Sequence, residues 1–388
     1  MSDLGLPPYK INQLLPSYSG RDAVGNHVTL IRKLLRDRNF DSEIYAEQFT
    51  NSAEFPCRSA GDFFNEDHSN SITIYQYSVG SDIARRLLTS PLFLVTNYHN
   101  VTPPEYFFDE LHGEAFLACS RGRMQATLLR NCTDMTWSVS VFNELELHEL
   151  GFTENRGLFP VLRDYEALRR CADDEFLAKK LSDRKNILFV GRVSPHKGHL
   201  DLIFAFHLLK QKSDSENYRL ILVGGGHHLF IEKLANCARE LGLTVSTSSQ
   251  PDFSVDVVFI EGISDAELAQ YYRSADLFAC LSDHEGFCVP VVEAMTFGLP
   301  IIAHKAAAVP DTIGDAGILL DKNNLRDLVA ALESVLCIEG VGSELKTKAL
   351  KRAQAFSWEN LTKSFDITLE NTLLSYHEWR SGKKLRIR

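Results

Sequence analysis

Two short stretches carry residue types able to manage a charged leaving group. The first is Gly191-Arg192-Val193-Ser194-Pro195-His196-Lys197-Gly198. It follows the apolar run Ile187-Leu188-Phe189-Val190, which reads as a buried strand, and precedes apolar residues at helical spacing over 199–210. Two cations beside a helix start suit a diphosphate, which needs neutralising charge and directed N–H donors. Taken alone, the stretch reads rather as a solvated loop with two ordinary surface cations. The second is Glu285-Gly286-Phe287-Cys288-Val289-Pro290-Val291-Val292-Glu293-Ala294-Met295. It also follows a strand and opens a helix, with Pro290 at a natural first helical position. The amides of Phe287, Cys288 and Val289 point out of that helix start, ready for an anion. Glu285 hangs in the loop and Glu293 lies about one turn into the helix. Carboxylates accept hydrogen bonds from vicinal hydroxyls, so two of them flanking an anion site suit a sugar nucleotide. The plainer alternative, a capped helix with two exposed acids, weakens once both loops belong to one sheet.

The elements that must hold these loops are legible around them. Strand-like runs recur at 186–190, 219–223, 255–260, 277–281, 299–303 and 317–320, with helical spacing between them. Ser264-Asp265-Ala266-Glu267 has the spacing of a capping box and starts a helix through 274. Alternating strand and helix without hairpin signals predicts a parallel sheet covered on both faces. The first half has the same rhythm, with strands expected at 9–15, 42–46, 72–77, 92–97, 115–119 and 137–142. Helices fit 24–38, 82–89 and 121–130, and the charged segment 163–184 leads into the second half. The expected architecture is α/β, two Rossmann-like doubly wound domains facing across a cleft, with ligands beyond the carboxyl ends of the strands. The expected domain limits are 1–183, 184–360, and 361–388 as a helix and basic tail returning to the first domain.

Composition narrows the class. The chain has 388 residues, 41 Lys+Arg against 51 Asp+Glu, and a formal net charge of -10, which disfavours nucleic acid as a partner. Hydrophobic residues make up 44%, enough for packed cores and too many for a disordered chain. No apolar run reaches membrane-spanning length, and Met1 to Lys10 show no signal-peptide pattern. The eight cysteines include no CxxC pair, which suits reduced thiols in a cytoplasm and a role as small apolar fillers. His196, His227, His228 and His284 lack a matching acid cluster, and no Asp-x-Asp pair occurs. No metal and no cofactor is therefore expected, with Arg192 and Lys197 taking the place of a cation.

Taken in order, the GRVSPHKG loop, the EGFCVPVVEAM segment and the following FGLPIIAHKAAAVPDTIGDAGILL resemble the donor domain of GT-B glycosyltransferases of family 4. The likeness is tight over 186–336. It implies a retaining transferase that uses a nucleotide-sugar as co-substrate. By that resemblance Arg192 and Lys197 hold the donor diphosphate, Glu293 the ribose hydroxyls and Glu285 the transferred sugar. Main-chain groups at Gly262-Ile263 hold the base. Cys288 departs from the family, which commonly has Gly there.

The first half is similar more loosely. Ser17-Tyr18-Ser19-Gly20-Arg21-Asp22 replaces the family's Gly-Gly loop, so Gly20 and Asp22 are expected against the donor. The stretch Tyr98-His99-Asn100-Val101-Thr102-Pro103-Pro104 is similar to one in members that build surface polysaccharides. His99 there either orients the acceptor or donor sugar, or is a buried histidine satisfied by a backbone carbonyl.

The resulting expectation is a hexosyltransferase using GDP-mannose or a UDP-sugar and a glycan or lipid-linked acceptor, with Arg192, Lys197, Glu285 and His99 at the reacting centre. The competing expectations are a sugar-nucleotide 2-epimerase of similar plan and a non-catalytic sugar-nucleotide-binding subunit. The basic tail, Lys383, Lys384, Arg386 and Arg388, either touches an anionic membrane surface or is solvated.

Overall fold

The structure, a computed structural model, describes residues 9–19, 22–50, 54–152, 156–212, 218–322 and 324–382. Gly20 and the basic tail lie outside the described residues. The chain divides into two compact units, Met1–Phe108 with His112–Arg163 and Glu359–Arg388, and Asp164–Trp358 with Asp109–Leu111.

In the first unit, β1 (Lys10–Tyr18), β2 (Ile44–Phe49), β3 (Arg58–Ser59), β4 (Ser71–Tyr77), β5 (Phe93–Tyr98), β6 (Met135–Ser138) and β7 (Arg156–Leu158) form a parallel sheet. Its order is β3-β2-β1-β4-β5-β6-β7. In the second, β8 (Lys185–Val190), β9 (Tyr218–Val223), β10 (Val245–Ser246), β11 (Val257–Ile260), β12 (Leu277–Cys280), β13 (Ile301–His304) and β14 (Ile318–Leu320) take the order β10-β11-β9-β8-β12-β13-β14. All of these pairings are parallel.

The central strands are apolar on both faces because helices cover both. Ile187, Leu220 and Leu277 sit in register across β8, β9 and β12, fully buried. Leu202, Ile203, Phe206 and Leu209 of the helix His199–Lys212 join them in one core with Leu328 and Leu332 of the helix Leu325–Cys337. In each sheet the strand order reverses beside the first strand, between β1 and β4 and between β8 and β12. At such a reversal the connections leave in opposite directions and open a crevice at the carboxyl ends. The two candidate loops follow β8 and β12.

Three expectations need correction. Residues 115–119 are not a strand but part of the helix Gly113–Leu129. The run at 137–142 ends as a strand at Ser138, and Ser140 then caps the helix Val141–Glu149 by accepting from the Asn143 amide. The division between units falls at 163/164, before the segment 164–183 rather than after it. That segment is tied to the second unit: Arg273 donates to the carbonyls of Arg169 and Cys171, and the Asp174 amide donates to Gln270. The last helix, Trp358–Arg380, is built into the first unit, where Trp137 donates through Nε1 to Thr372 Oγ1 at 3.0 Å and Arg38 pairs with Asp366.

Candidate functional site

Two loops at the second sheet's reversal are stitched together. The Asp283 amide donates to the His196 carbonyl at 2.8 Å. Gly198 adopts φ +71°, and a Cβ there would lie 2.3 Å from the Leu281 carbonyl oxygen, so only glycine lets the loops come this close. Lys197 Nζ donates to Glu285 Oε1 at 2.5 Å, with side chains 16% and 14% exposed. Burial works against the Lys197 ammonium, but the Glu285 carboxylate beside it outweighs burial and raises the lysine above its ordinary value. Lys197 is therefore a fixed positive charge whose counterion is supplied by the chain.

His196 and His199 add no charge. Burial, then the Lys197 ammonium, lower His196 to about 2 and His199 to about 3. Arg192, at the start of the same loop, is exposed.

The 285–288 segment is held by its own backbone. The Ala308 amide donates to the Glu285 carbonyl at 3.2 Å, and Thr312 Oγ1 donates to the Phe287 carbonyl at 2.6 Å. The helix Val289–Thr296 begins after Cys288, which takes φ 73° in the left-handed region. A side chain there costs of order 1 kcal/mol relative to glycine. That left-handed residue turns the chain sharply into the helix, so Phe287 and Cys288 stand just ahead of its first turn and Val289 opens it. Glu293 is buried, and its Oε2 accepts from the Tyr272 hydroxyl at 2.8 Å. Tyr272 in turn stacks on Phe297. Ile263 is partly exposed, directly after Gly262 at φ +71°.

Sequence reasoning missed one feature of this site. Cys280, the last residue of β12, lies with its Sγ 3.5 Å from Cys288 Sγ, both buried. Their hydrogen bond sets their titration apart: Cys280 is lowered by it, and Cys288 is pushed well up by it and by burial. The contact is tertiary, and spacing alone carries no signal for it.

In the first unit the carboxyl edge is built differently. Gln76 Nε2 donates to Gln13 Oε1, and Gln76 Oε1 accepts from Asn97 Nδ2 and from His99 Nε2 at 2.7 Å. The expected alternative for His99, satisfaction by a backbone carbonyl, is thus replaced by a side-chain amide. Burial lowers His99 to about 4. His27, from the helix Ala23–Asp37, packs edge-on against His99 at 5.1 Å, and accepts at Nδ1 from the Leu162 amide at 2.8 Å. It too was invisible in the sequence, as a lone histidine within a helical run. Asp22 acts locally, its Oδ1 capping that helix by accepting from the Gly25 amide at 2.7 Å.

Among the described residues no helix is long and apolar enough to cross a membrane.

Comparison with known proteins accords with this arrangement. The family described as Glycosyl transferases group 1 matches residues 173–355. A D-inositol 3-phosphate glycosyltransferase of Nocardioides sp. is 31% identical over 185 residues, 46% of this chain and 40% of that protein. O-antigen chain mannosyltransferase B of Escherichia coli is 27% identical over 177 residues, 45% of this chain and 43% of that protein. The matches to these curated relatives thus span less than half of their length. Sucrose-phosphate synthase from Thermosynechococcus elongatus superposes with a TM-score of 0.74 at 16% identity, covering 94% of this chain and 100% of the other. Anabaena HepE, solved in complex with UDP-glucose, superposes with a TM-score of 0.71 at 18% identity, covering 93% and 100%. Residues 173–355, which include both loops of the site, match the glycosyl transferases group 1 family, and the chain has the two-sheet α/β fold of GT-B glycosyltransferases.

Proposed function

We propose that the chain transfers a hexosyl group from a nucleoside-diphosphate sugar to a glycan or lipid-linked acceptor, with retention and without a metal ion. The observation that carries this reading is the Lys197–Glu285 pair at the β8/β12 reversal. A diphosphate arriving there takes over Lys197 and leaves Glu285 turned toward the sugar. Arg192 and Lys197 then stabilise the charge that grows on the departing nucleoside diphosphate, the main electrostatic demand of such a transfer. The Phe287, Cys288 and Val289 amides add N–H donors at the helix start. Glu293, anchored by Tyr272, offers its carboxylate to the ribose hydroxyls, and the main chain at Ile263 borders the base.

In the first unit His99 is neutral at physiological pH. Its Nε2 proton is committed to Gln76, so Nδ1 is the acceptor it presents to a sugar hydroxyl. Retention is assigned to same-face attack assisted by the leaving phosphate, so no enzymatic nucleophile is named. Glycan or lipid-linked acceptors are favoured by the O-antigen relative and by the Tyr98–Pro104 stretch.

A thermal-shift panel of UDP-, GDP-, ADP- and dTDP-sugars tests the reading. One nucleotide should stabilise the wild type and lose its effect in Lys197→Ala, because only binding to the folded chain raises the transition. Turnover with that donor, followed by proton NMR of the product, should then give the anomeric configuration of the donor. No stabilisation by any of the four, or an inverted product, overturns it.

A further inference from the structure

We infer that Cys280, Glu285 and Cys288 form a binding site for a thiophilic divalent cation of the zinc type, and that occupancy shuts the proposed donor site. The three ligand atoms, two sulfurs and a carboxylate oxygen, lie within 4.8 Å of one another. Tetrahedral zinc with bonds of about 2.3 Å to sulfur separates two thiolates by roughly 3.8 Å. The observed Sγ–Sγ distance of 3.5 Å is therefore reached by a shift of a few tenths of an ångström.

The donor set matches the chemistry of a soft cation and excludes magnesium or calcium, which take oxygen. Charge also balances. Two thiolates and one carboxylate carry three negative charges, a divalent cation removes two, and the Lys197 ammonium on Glu285 Oε1 offsets the third. Each thiol gives its proton to solvent as its sulfur bonds the metal. Two protons leave per cation and no electron moves. The fourth tetrahedral position is left for water.

The placement of the ligands is independent of the loop's own conformation at two of three points. Cys280 ends a central strand, and Cys288 is fixed in a left-handed turn by the helix that follows. Beyond the small shift of the two sulfurs, the group that adjusts is Glu285, the residue assigned above to the transferred sugar. The inhibitory consequence rests on that assignment, whereas metal binding itself does not.

The test uses the full chain, reduced and stripped of metal, titrated with Co²⁺ as the probe and with Zn²⁺ in competition. One Co²⁺ per chain should bind with a thiolate-to-cobalt charge-transfer band in the near ultraviolet, and Zn²⁺ should abolish the band by displacement. Cys280→Ala should remove the band and weaken binding by at least about a hundredfold, since even partners outside a ligand shell are worth about ten- to a hundredfold. The same variant should keep its nucleotide-sugar thermal shift and lose sensitivity of turnover to Zn²⁺. Cys288→Gly, which suits the left-handed backbone, must also lose the band. The inference is overturned if no charge-transfer band forms, if it survives in either variant, or if the chain loses two mass units as a Cys280–Cys288 disulfide under reducing conditions and binds nothing. A chain that shifts with no nucleotide sugar yet shows the band refutes the proposed function and leaves the metal site standing.

Discussion

Both sheets are parallel and seven-stranded and reverse strand order beside their first strand, yet their carboxyl edges are furnished in opposite ways. The second sheet's edge is ionic: Lys197 and Glu285 face each other across joined loops, and Asp283 is paired with Lys322 nearby. The first sheet's edge is a neutral ladder of Gln13, Gln76 and Asn97 that ends on His99. An ionic edge suits the handling of a group on which charge is set free. A neutral edge of amides and an uncharged imidazole suits hydroxyl recognition, where direction matters more than charge.

The sharpest way to break this contrast is Lys197→Ala. Loss of a contact that strengthens as the diphosphate departs should cost on the order of 3 kcal/mol, about a hundredfold in kcat, with the fold retained by circular dichroism. Wild-type turnover in this variant removes the charge-handling role. Next come the two glutamates, which should fail differently. Glu285→Gln should lower kcat by about ten- to a hundredfold, the worth of one charge-assisted hydrogen bond, because the transferred sugar changes in the transition state. Glu293→Gln should instead raise the donor KM about tenfold, because ribose barely changes. Single-turnover kinetics separate these outcomes, and a reversed pattern exchanges the roles.

His99 sharpens the neutral side. Its folded value of about 4 lies below the ordinary 6.5 of the unfolded chain. Between those values the unfolded chain binds more protons, so acidification lowers stability there, and the loss saturates below about pH 4. His99→Gln cannot protonate in either state, so its stability should fall less steeply between about pH 6.5 and 4, by at most about 1.4 kcal/mol per pH unit. Denaturant midpoints at several pH values give the slope, and an unchanged slope rejects a buried neutral imidazole. Tyr272→Phe should have a smaller effect, raising the donor KM by about fivefold as Glu293 loses one hydrogen bond worth about 1 kcal/mol. Last, EDTA should change turnover hardly at all if, as proposed, Arg192 and Lys197 meet the phosphates. Activity lost on chelation and restored by Mg²⁺ or Mn²⁺ would reverse the metal-free mechanism.

How far the sequence could be read differs between the halves for a physical reason. Around β8 and β12 the strands are short apolar runs, β8 closed by Gly191 and β12 preceded by a helix with a capping box at Ser264, so periodicity and punctuation agree. In the helix Gly113–Leu129 they do not. Leu117 and Met124 are 67% and 62% exposed while Gln125 is buried, so the run Ala115–Cys119 carries no inward stripe and imitates a strand. The ladder under His99 and the Cys280–Cys288 contact join residues far apart or on separate elements. Only packing could reveal them.

The Trp137–Thr372 hydrogen bond spans 235 residues, and Thr368 packs against Gly157 beside it. The second unit is thus an insertion in the sequence of the first, whose sheet is made early and whose closing helix is made late. During synthesis the first unit's sheet must wait, with Trp137 and its neighbours uncovered, until the helix Trp358–Arg380 has been translated. The uninterrupted stretch from Asp164 to Trp358 can fold on the ribosome while they wait. The sheet translated before the second unit is completed only after it, and a chain cut short after Trp358 would leave that sheet without a lid for its core.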